Sequence, residues 1–158
     1  MTPDTDFFAK HTGPNTVNEV MTTDVISVAP YSLIEDALSI MLKNKISGLP
    51  VLDDDDRLAG VISEFDMLIL LSERPEDYSP IALVADYMTT NVKVIKEDTS
   101  LDEVVDIFRK TSVRRLPVVR GDKLVGILSR RDLVRVIHKI RQAAAAQPWD
   151  PVGQGLTY

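Results

Sequence analysis

The chain has no cysteine among its 158 residues. That excludes disulfides and thiolate metal sites and permits a reducing compartment. It has only two histidines, His11 and His138, too isolated to form a metal pair or a catalytic base. Aromatic residues make up 6% of the chain, and its second half lacks stacking platforms for nucleic-acid bases. No apolar run approaches the roughly 18 residues of a membrane span. Residues 1–15 lack the basic start and apolar stretch of a signal peptide, so a cytoplasmic setting without membrane contact is expected. There is no Gly-rich phosphate loop, no pair of catalytic carboxylates and no nucleophile–base–orienter set. Enzymatic activity is therefore not expected, and no cofactor is required.

Charge is unevenly spread. The net charge is −6, but residues 1–83 carry 15 acidic and 5 basic side chains (−10), and residues 84–158 carry 9 and 13 (+4). The whole should repel nucleic acid at long range, while the second half can attract a small anion. Asp53–Asp56 lacks the spaced ligands and turn glycine of a calcium loop and reads as a solvated turn.

What the chain does have is a repeat. Met21, Thr22, Thr23 and Val25 return as Met88, Thr89, Thr90 and Val92; Leu49, Pro50 and Val51 return as Leu116, Pro117 and Val118. Leu58, Gly60, Ser63 and Asp66 return as Leu124, Gly126, Ser129 and Asp132, one residue nearer. A unit of this length occurring twice excludes a long solenoid. It predicts two half-domains on a pseudo-twofold axis, with clefts between them.

The patterning predicts an α+β fold of two β-α-β-β-α repeats. We place a leader at 1–15, repeats at 16–72 and 80–141, a linker at 73–79 and a tail at 142–158. Phe7 and Phe8 are the leader's apolar anchors, and Trp149 or Tyr158 those of the tail. Thr16/Glu19, Ser32/Glu35 and Thr99/Asp102 have capping-box spacing, and Ser79-Pro80 reads as a helix start. Short strands are expected at Val25–Val28 and Val92–Ile95. Helical stripes follow at Ile34, Ala37, Leu38, Met41 and Leu42, and at Leu101, Val104, Val105 and Phe108. Hairpins and a second helix close each repeat, at Glu64–Leu71 and Arg130–Ile140, with a tight turn at Gly121-Asp122.

Ser63–Asp66 and Ser129–Asp132 are the leading candidates for chemistry. Each serine ends a strand and opens a helix, where backbone N–H groups and a hydroxyl suit an anion. The aspartate one turn in can accept both hydroxyls of a ribose. Ser-x-x-Asp is equally a capping box, and spacing alone allows either role. Arg114, Arg115, Arg130 and Arg131 should gather at one end of the second repeat and grip phosphate oxygens or pair with the acidic first repeat. Their counterparts Ser47, Gly48, Glu64 and Phe65 bring no positive charge, so unequal sites are expected. Pro50 and Pro117, lacking an N–H, imply strand starts or edges. Thr22, Thr23, Thr89 and Thr90 are pocket hydroxyls or turn stabilisers.

The ordered set of Met-Thr, Leu-Pro-Val, and Gly followed by Ser-x-x-Asp, found twice across residues 16–140, resembles the CBS domain, and specifically a tandem pair of them. The resemblance implies a pair often dimerised into a disc, with clefts for AMP, ADP, ATP, S-adenosylmethionine or NAD. It implies ribose binding by Asp66 and Asp132 and an adenine pocket lined around Gly48, Pro50 and Pro117. It also implies a regulatory homodimer that passes its ligand state to an effector protein, with a ligand-free dimerisation scaffold as the alternative.

Overall fold

The computed structural model describes residues 6–74, 76 and 79–146. After a short helix α1 (Phe7–Lys10), the first repeat runs through a 3-10 turn (Val17–Glu19), α2 (Ile34–Asn44), β1 (Gly48–Leu52), β2 (Leu58–Ser63), α3 (Glu64–Met67) and a 3-10 turn (Leu68–Ser72). The second runs α4 (Val84–Tyr87), β3 (Ile95–Lys96), α5 (Leu101–Lys110), β4 (Arg115–Arg120), β5 (Lys123–Ser129) and α6 (Arg130–Ala145). The expected α+β repeat pattern is present. The tail anchors Trp149 and Tyr158 lie outside the described residues.

The chain forms two compact units that interleave in sequence. One takes the described residues of 1–21, Asp98–Arg115 and those of 128–158; the other takes Thr22–Glu97 and Leu116–Ile127. The interleaving follows from reciprocal backbone ties. Val17 donates to the Thr99 carbonyl at 2.9 Å and Leu101 to the Asn15 carbonyl at 2.8 Å. In the other unit Val84 donates to Ser32 at 2.8 Å and Ile34 to Ala82 at 2.9 Å. The lead-in of each repeat thus caps the long helix of the other.

These ties displace two predicted caps. Helix α2 opens after Leu33 with no side-chain cap, and Ser32 Oγ instead accepts from the Ala29 N–H. Helix α5 is capped by Ser100, which accepts from Glu103 N–H. The carboxylate of Asp102 is thereby freed to hold the leader, accepting from Phe8 N–H at 3.0 Å and Ala9 N–H at 3.2 Å. Phe8 is fully buried, as its anchoring role required. Glu19 does cap its own turn, accepting from Thr16 N–H at 2.8 Å. Ser79-Pro80 forms a turn rather than a helix start; the N-cap is Leu83, whose N–H is taken by Asp86.

In the first unit the buried apolar side chains are Phe8, Val17, Leu101, Val104, Phe108, Leu128 and Leu133. In the second, the stripe of α2 (Ile34, Ala37, Met41) packs on Leu49, Val51 and Ile62 of the β1–β2 hairpin and on Met67 and Val84. Leu42, assigned to that stripe from spacing, lies exposed. The expected strand Val25–Val28 shrinks to one parallel bridge, Val28 to Val51. Its counterpart is β3, which pairs in parallel with Val118 and Val119 of β4. This pairing begins just past Pro117, so a proline fits a strand that lies between β3 and β5, where an edge or strand start was expected. The tips of the two hairpins meet through the Arg57–Asp122 ion pair at 3.0 Å and an Arg57–Lys123 bridge. Gly121, at φ 65, takes the left-handed position of the β4–β5 turn. In the other turn Asp53 Oδ1 accepts from Asp55 and Arg57 N–H groups at 2.9 Å each.

Candidate functional site

Both Ser-x-x-Asp boxes form at a strand-to-helix junction, and both are real caps. Ser63 Oγ accepts from Asp66 N–H at 3.2 Å, and Asp66 Oδ2 accepts from Ser63 N–H at 2.9 Å. Ser129 and Asp132 repeat the pattern at 3.2 and 2.8 Å. The next N–H in each helix is also engaged: Glu64 donates to the Ser47 carbonyl at 2.9 Å and Arg130 to the Arg114 carbonyl at 3.1 Å. The open helix N-termini expected from the sequence are therefore largely closed, because the aspartate that was to meet a ligand already satisfies the backbone. At the second box these bonds leave the Arg131 N–H as the remaining first-turn donor.

Beyond the shared cap the two boxes differ. Asp66 is 7% exposed, and both of its oxygens are engaged. Ser63 Oγ–H donates to Oδ2 at 2.9 Å and Thr89 Oγ1–H to Oδ1 at 3.0 Å. Thr89 is delivered by a two-way bridge to Val61, with N–H to O distances of 2.8 and 2.9 Å. That approach requires glycine at position 60, where a Cβ would sit 2.6 Å from the Thr89 carbonyl oxygen. The preceding helix α4 is tied down by Tyr87, whose hydroxyl donates to Glu73. That hydrogen bond, with burial and the charges of Glu73 and Asp86, pushes the phenol up to about 12.

Asp132 is only partly committed. Its Oδ2 holds Ser129 N–H, while Oδ1 meets only Arg135, at 3.5 Å, from a guanidinium side chain that is 66% exposed. A contact this long, with one partner in solvent, is weak. Among the described residues nothing accepts the Ser129 Oγ–H, unlike that of Ser63. Arg114, Arg130 and Arg131 are exposed and Arg115 half-buried. All four lie in the same compact unit as Ser129 and Asp132, joined there by the Arg114–Arg130 backbone bond.

The other candidates are placed as follows. Gly48 pairs with Ser63 across the β1–β2 hairpin, and Pro50 pairs with Val61. Pro50 and Pro117 are both buried. Thr22 exchanges N–H to O bonds of 2.9 Å with Ile127, the counterpart of the Thr89–Val61 bridge. Sequence reasoning missed the Thr89–Asp66 bond and the Arg135 contact. The second is detectable in principle, because Arg135 lies one helical turn after Asp132. Among the described residues no cluster of His, Asp and Glu could hold a metal ion, and no helix is long and apolar enough to cross a membrane.

The CBS domain profile matches residues 17–73 and 84–139. The CBS domain-containing protein CBSX1 of Arabidopsis thaliana, a chloroplastic protein, is 33% identical over 167 aligned positions, covering 88% of this chain and 71% of that protein. Among solved structures, CBSX2 in complex with AMP superposes with a TM-score of 0.72 at 35% identity, covering 81% of this chain and 99% of that one. The CBS domain pair of protein MJ0100, in complex with 5-methylthioadenosine and S-adenosyl-L-methionine, gives 0.68 at 26% identity, covering 80% and 98%. With two matched domains in tandem and this fold, the chain belongs to the CBS domain family as a CBS pair.

Proposed function

We propose that this CBS pair is a non-catalytic regulatory module that binds an adenosine-containing ligand, with AMP, ADP or ATP favoured, at the Ser129–Asp132 end of its second repeat. The repeats at 16–72 and 80–141 are its two halves. The observation that carries this reading is the contrast between the two boxes. Asp132 Oδ1 meets only the long, exposed Arg135 contact and the Ser129 hydroxyl proton has no acceptor among the described residues, which would leave them to a ribose and a phosphate, whereas Asp66 and Ser63 are saturated by their own neighbours. Arg114, Arg115, Arg130 and Arg131, in the same compact unit as Ser129, would supply the charge that phosphate oxygens require, and their counterparts at the Asp66 box, Ser47, Gly48, Glu64 and Phe65, bring none. A relative crystallised with AMP and another with S-adenosyl-L-methionine support the ligand class.

The ligand would act by favouring one arrangement of the two halves, and only to the extent that it binds that arrangement better. In this reading the module is a cytoplasmic homodimer, and an effector protein reads its state. The test is calorimetric titration with AMP, ADP, ATP, NAD and S-adenosylmethionine, using Asp132→Ala as control. Saturable binding to the wild type, absent in a folded Asp132→Ala protein, is the expected result. No heat from nucleotide-free folded protein would sink the sensor reading. That outcome would favour the second one, a ligand-free dimerisation scaffold, which draws on the fact that both boxes are complete helix caps.

A further inference from the structure

The aspartate of each Ser-x-x-Asp box commits one oxygen, Oδ2, to the N–H of its own serine. What meets the other oxygen differs. Asp66 Oδ1 accepts from the Thr89 hydroxyl at 3.0 Å, and Thr89 is fixed by its two-way backbone bridge to Val61. That donor is neutral and rigidly mounted. Asp132 Oδ1 meets the guanidinium of Arg135 at 3.5 Å, from one helical turn further along α6. The residue in the place of Arg135 in the first repeat is Ile69, which has no charge to offer.

The Asp132 side chain is 13% exposed and that of Arg135 66%. A carboxylate oxygen so far withdrawn from water needs a partner. Among the residues three and four places on from Asp132 only Arg135 is charged, since Val136 is apolar. Yet most of the Arg135 side chain stays in solvent, and an ion pair of this length and exposure holds weakly. It can part by a rotation of one side chain, whereas the Thr89 bond is anchored by backbone.

We infer that Arg135 is a displaceable counter-ion guarding the ribose position of the second box: it holds Asp132 Oδ1 until a ribose hydroxyl takes that oxygen. The cost of parting the pair falls on every ribose ligand alike. The released guanidinium offers its charge only to a ligand that carries an anion. Arg135 is therefore a specificity determinant that sets neutral nucleosides at a disadvantage against nucleotides. This inference rests on the proposed ligand site and adds what controls entry to it.

A neutral ligand and salt read the guard directly. Adenosine carries no charge for salt to screen, but salt screens the Asp132–Arg135 pair. In calorimetry, wild type should bind adenosine about two- to fivefold more tightly at high than at low sodium chloride, the range that exposed ion pairs span. Arg135→Gln should bind adenosine at low salt as tightly as wild type does at high salt, with the salt dependence gone. Its preference for AMP over adenosine should narrow accordingly. Arg135→Lys keeps a cation within reach and should keep the salt dependence. Arg141→Gln removes another exposed cation of α6 and should behave as wild type, which sets aside a general effect of net charge. A melting temperature near that of wild type verifies each fold, and Arg135→Ala repeats the test if the glutamine variant is unstable. No gain in adenosine affinity in the folded variant, while wild type still binds AMP, would overturn the guard and leave the ligand site standing. Absence of binding by wild type and variant, with AMP and adenosine alike, would overturn the site and its guard together.

Discussion

Thr89 Oγ1 lies 3.0 Å from Asp66 Oδ1 and donates its proton to it, tying the lead-in of the second repeat to the helix cap of the first. Because Asp66 is buried, loss of this donor leaves a carboxylate oxygen without a partner. Thr89→Val should therefore lower stability by about 1–3 kcal/mol. Asp66→Ala should cost more than Asp132→Ala, since it orphans Ser63 and Thr89 together, while Asp132→Ala loses mainly a cap worth about 0.5–2 kcal/mol. Urea denaturation of the three variants checks the order; equal losses at the two aspartates would refute it.

Gly60 is what allows that tie. A methyl group at this position would lie 2.6 Å from the Thr89 carbonyl oxygen, too close for the backbone to absorb without moving. Gly60→Ala should destabilise by about 1–3 kcal/mol, as overpacking does. It should also be non-additive with Thr89→Val, because both disturb one bridge. A double-mutant cycle with no coupling would separate the two residues.

The leader is held by a carboxylate on another helix. Asp102→Ala removes the acceptor of the Phe8 and Ala9 N–H groups and should release the leader while leaving α5, capped by Ser100, in place. Limited chymotrypsin digestion should then cut at Phe7 or Phe8 much faster than in wild type. Unchanged protection of Phe8 would show that its burial alone is sufficient.

Glu19 gives the pH dependence a definite sign. Backbone hydrogen bonds from Asn15 and then Thr16, with the Thr16 hydroxyl, hold its carboxyl below the usual value of 4.5. The folded state thus favours the ionised form. The stabilisation is present above the unfolded pKa and is lost as pH falls through the lowered folded one. Glu19→Gln should flatten the decline of melting temperature on acidification below about pH 4.5. An identical decline in wild type and variant would assign the acid sensitivity to other carboxylates.

The repeat, the hairpins and the long helices were legible because they rest on local periodicity and on residues that recur in order. The starts of α2 and α5 were not, although those of α3 and α6 after Ser63 and Ser129 were. Ile34 and Leu101 donate to carbonyls of Ala82 and Asn15, distant in sequence, and these ties set the first helical residue in place of Ser32 or Thr99. The partial burial of Leu38 beside exposed Leu42 likewise depends on which neighbour covers the stripe. At the candidate site, the equivalence of the two boxes was visible and so was the arginine asymmetry. The saturation of Asp66 was not, because it depends on Thr89 crossing to Val61.

The last prediction separates a cap from a phosphate ligand at Ser129. Its Oγ accepts from Asp132 N–H, and its proton has no acceptor among the described residues. As a cap alone, Ser129→Ala would cost about 0.5–2 kcal/mol of stability and treat adenosine and AMP alike. As a phosphate donor it would also lose roughly tenfold in AMP affinity, the equivalent of one hydrogen bond to a charged group, while adenosine affinity would hold. Asp132→Asn should show the complementary result, weakening adenosine and AMP by the same factor because the ribose is common to both. Ser63→Ala, whose hydroxyl already donates to Asp66, should lose stability without changing the affinity for either ligand. Calorimetry with both ligands on the three variants reads all of these outcomes. An AMP-to-adenosine ratio unchanged by Ser129→Ala would confine that serine to its helix cap and move the phosphate onto the arginines alone.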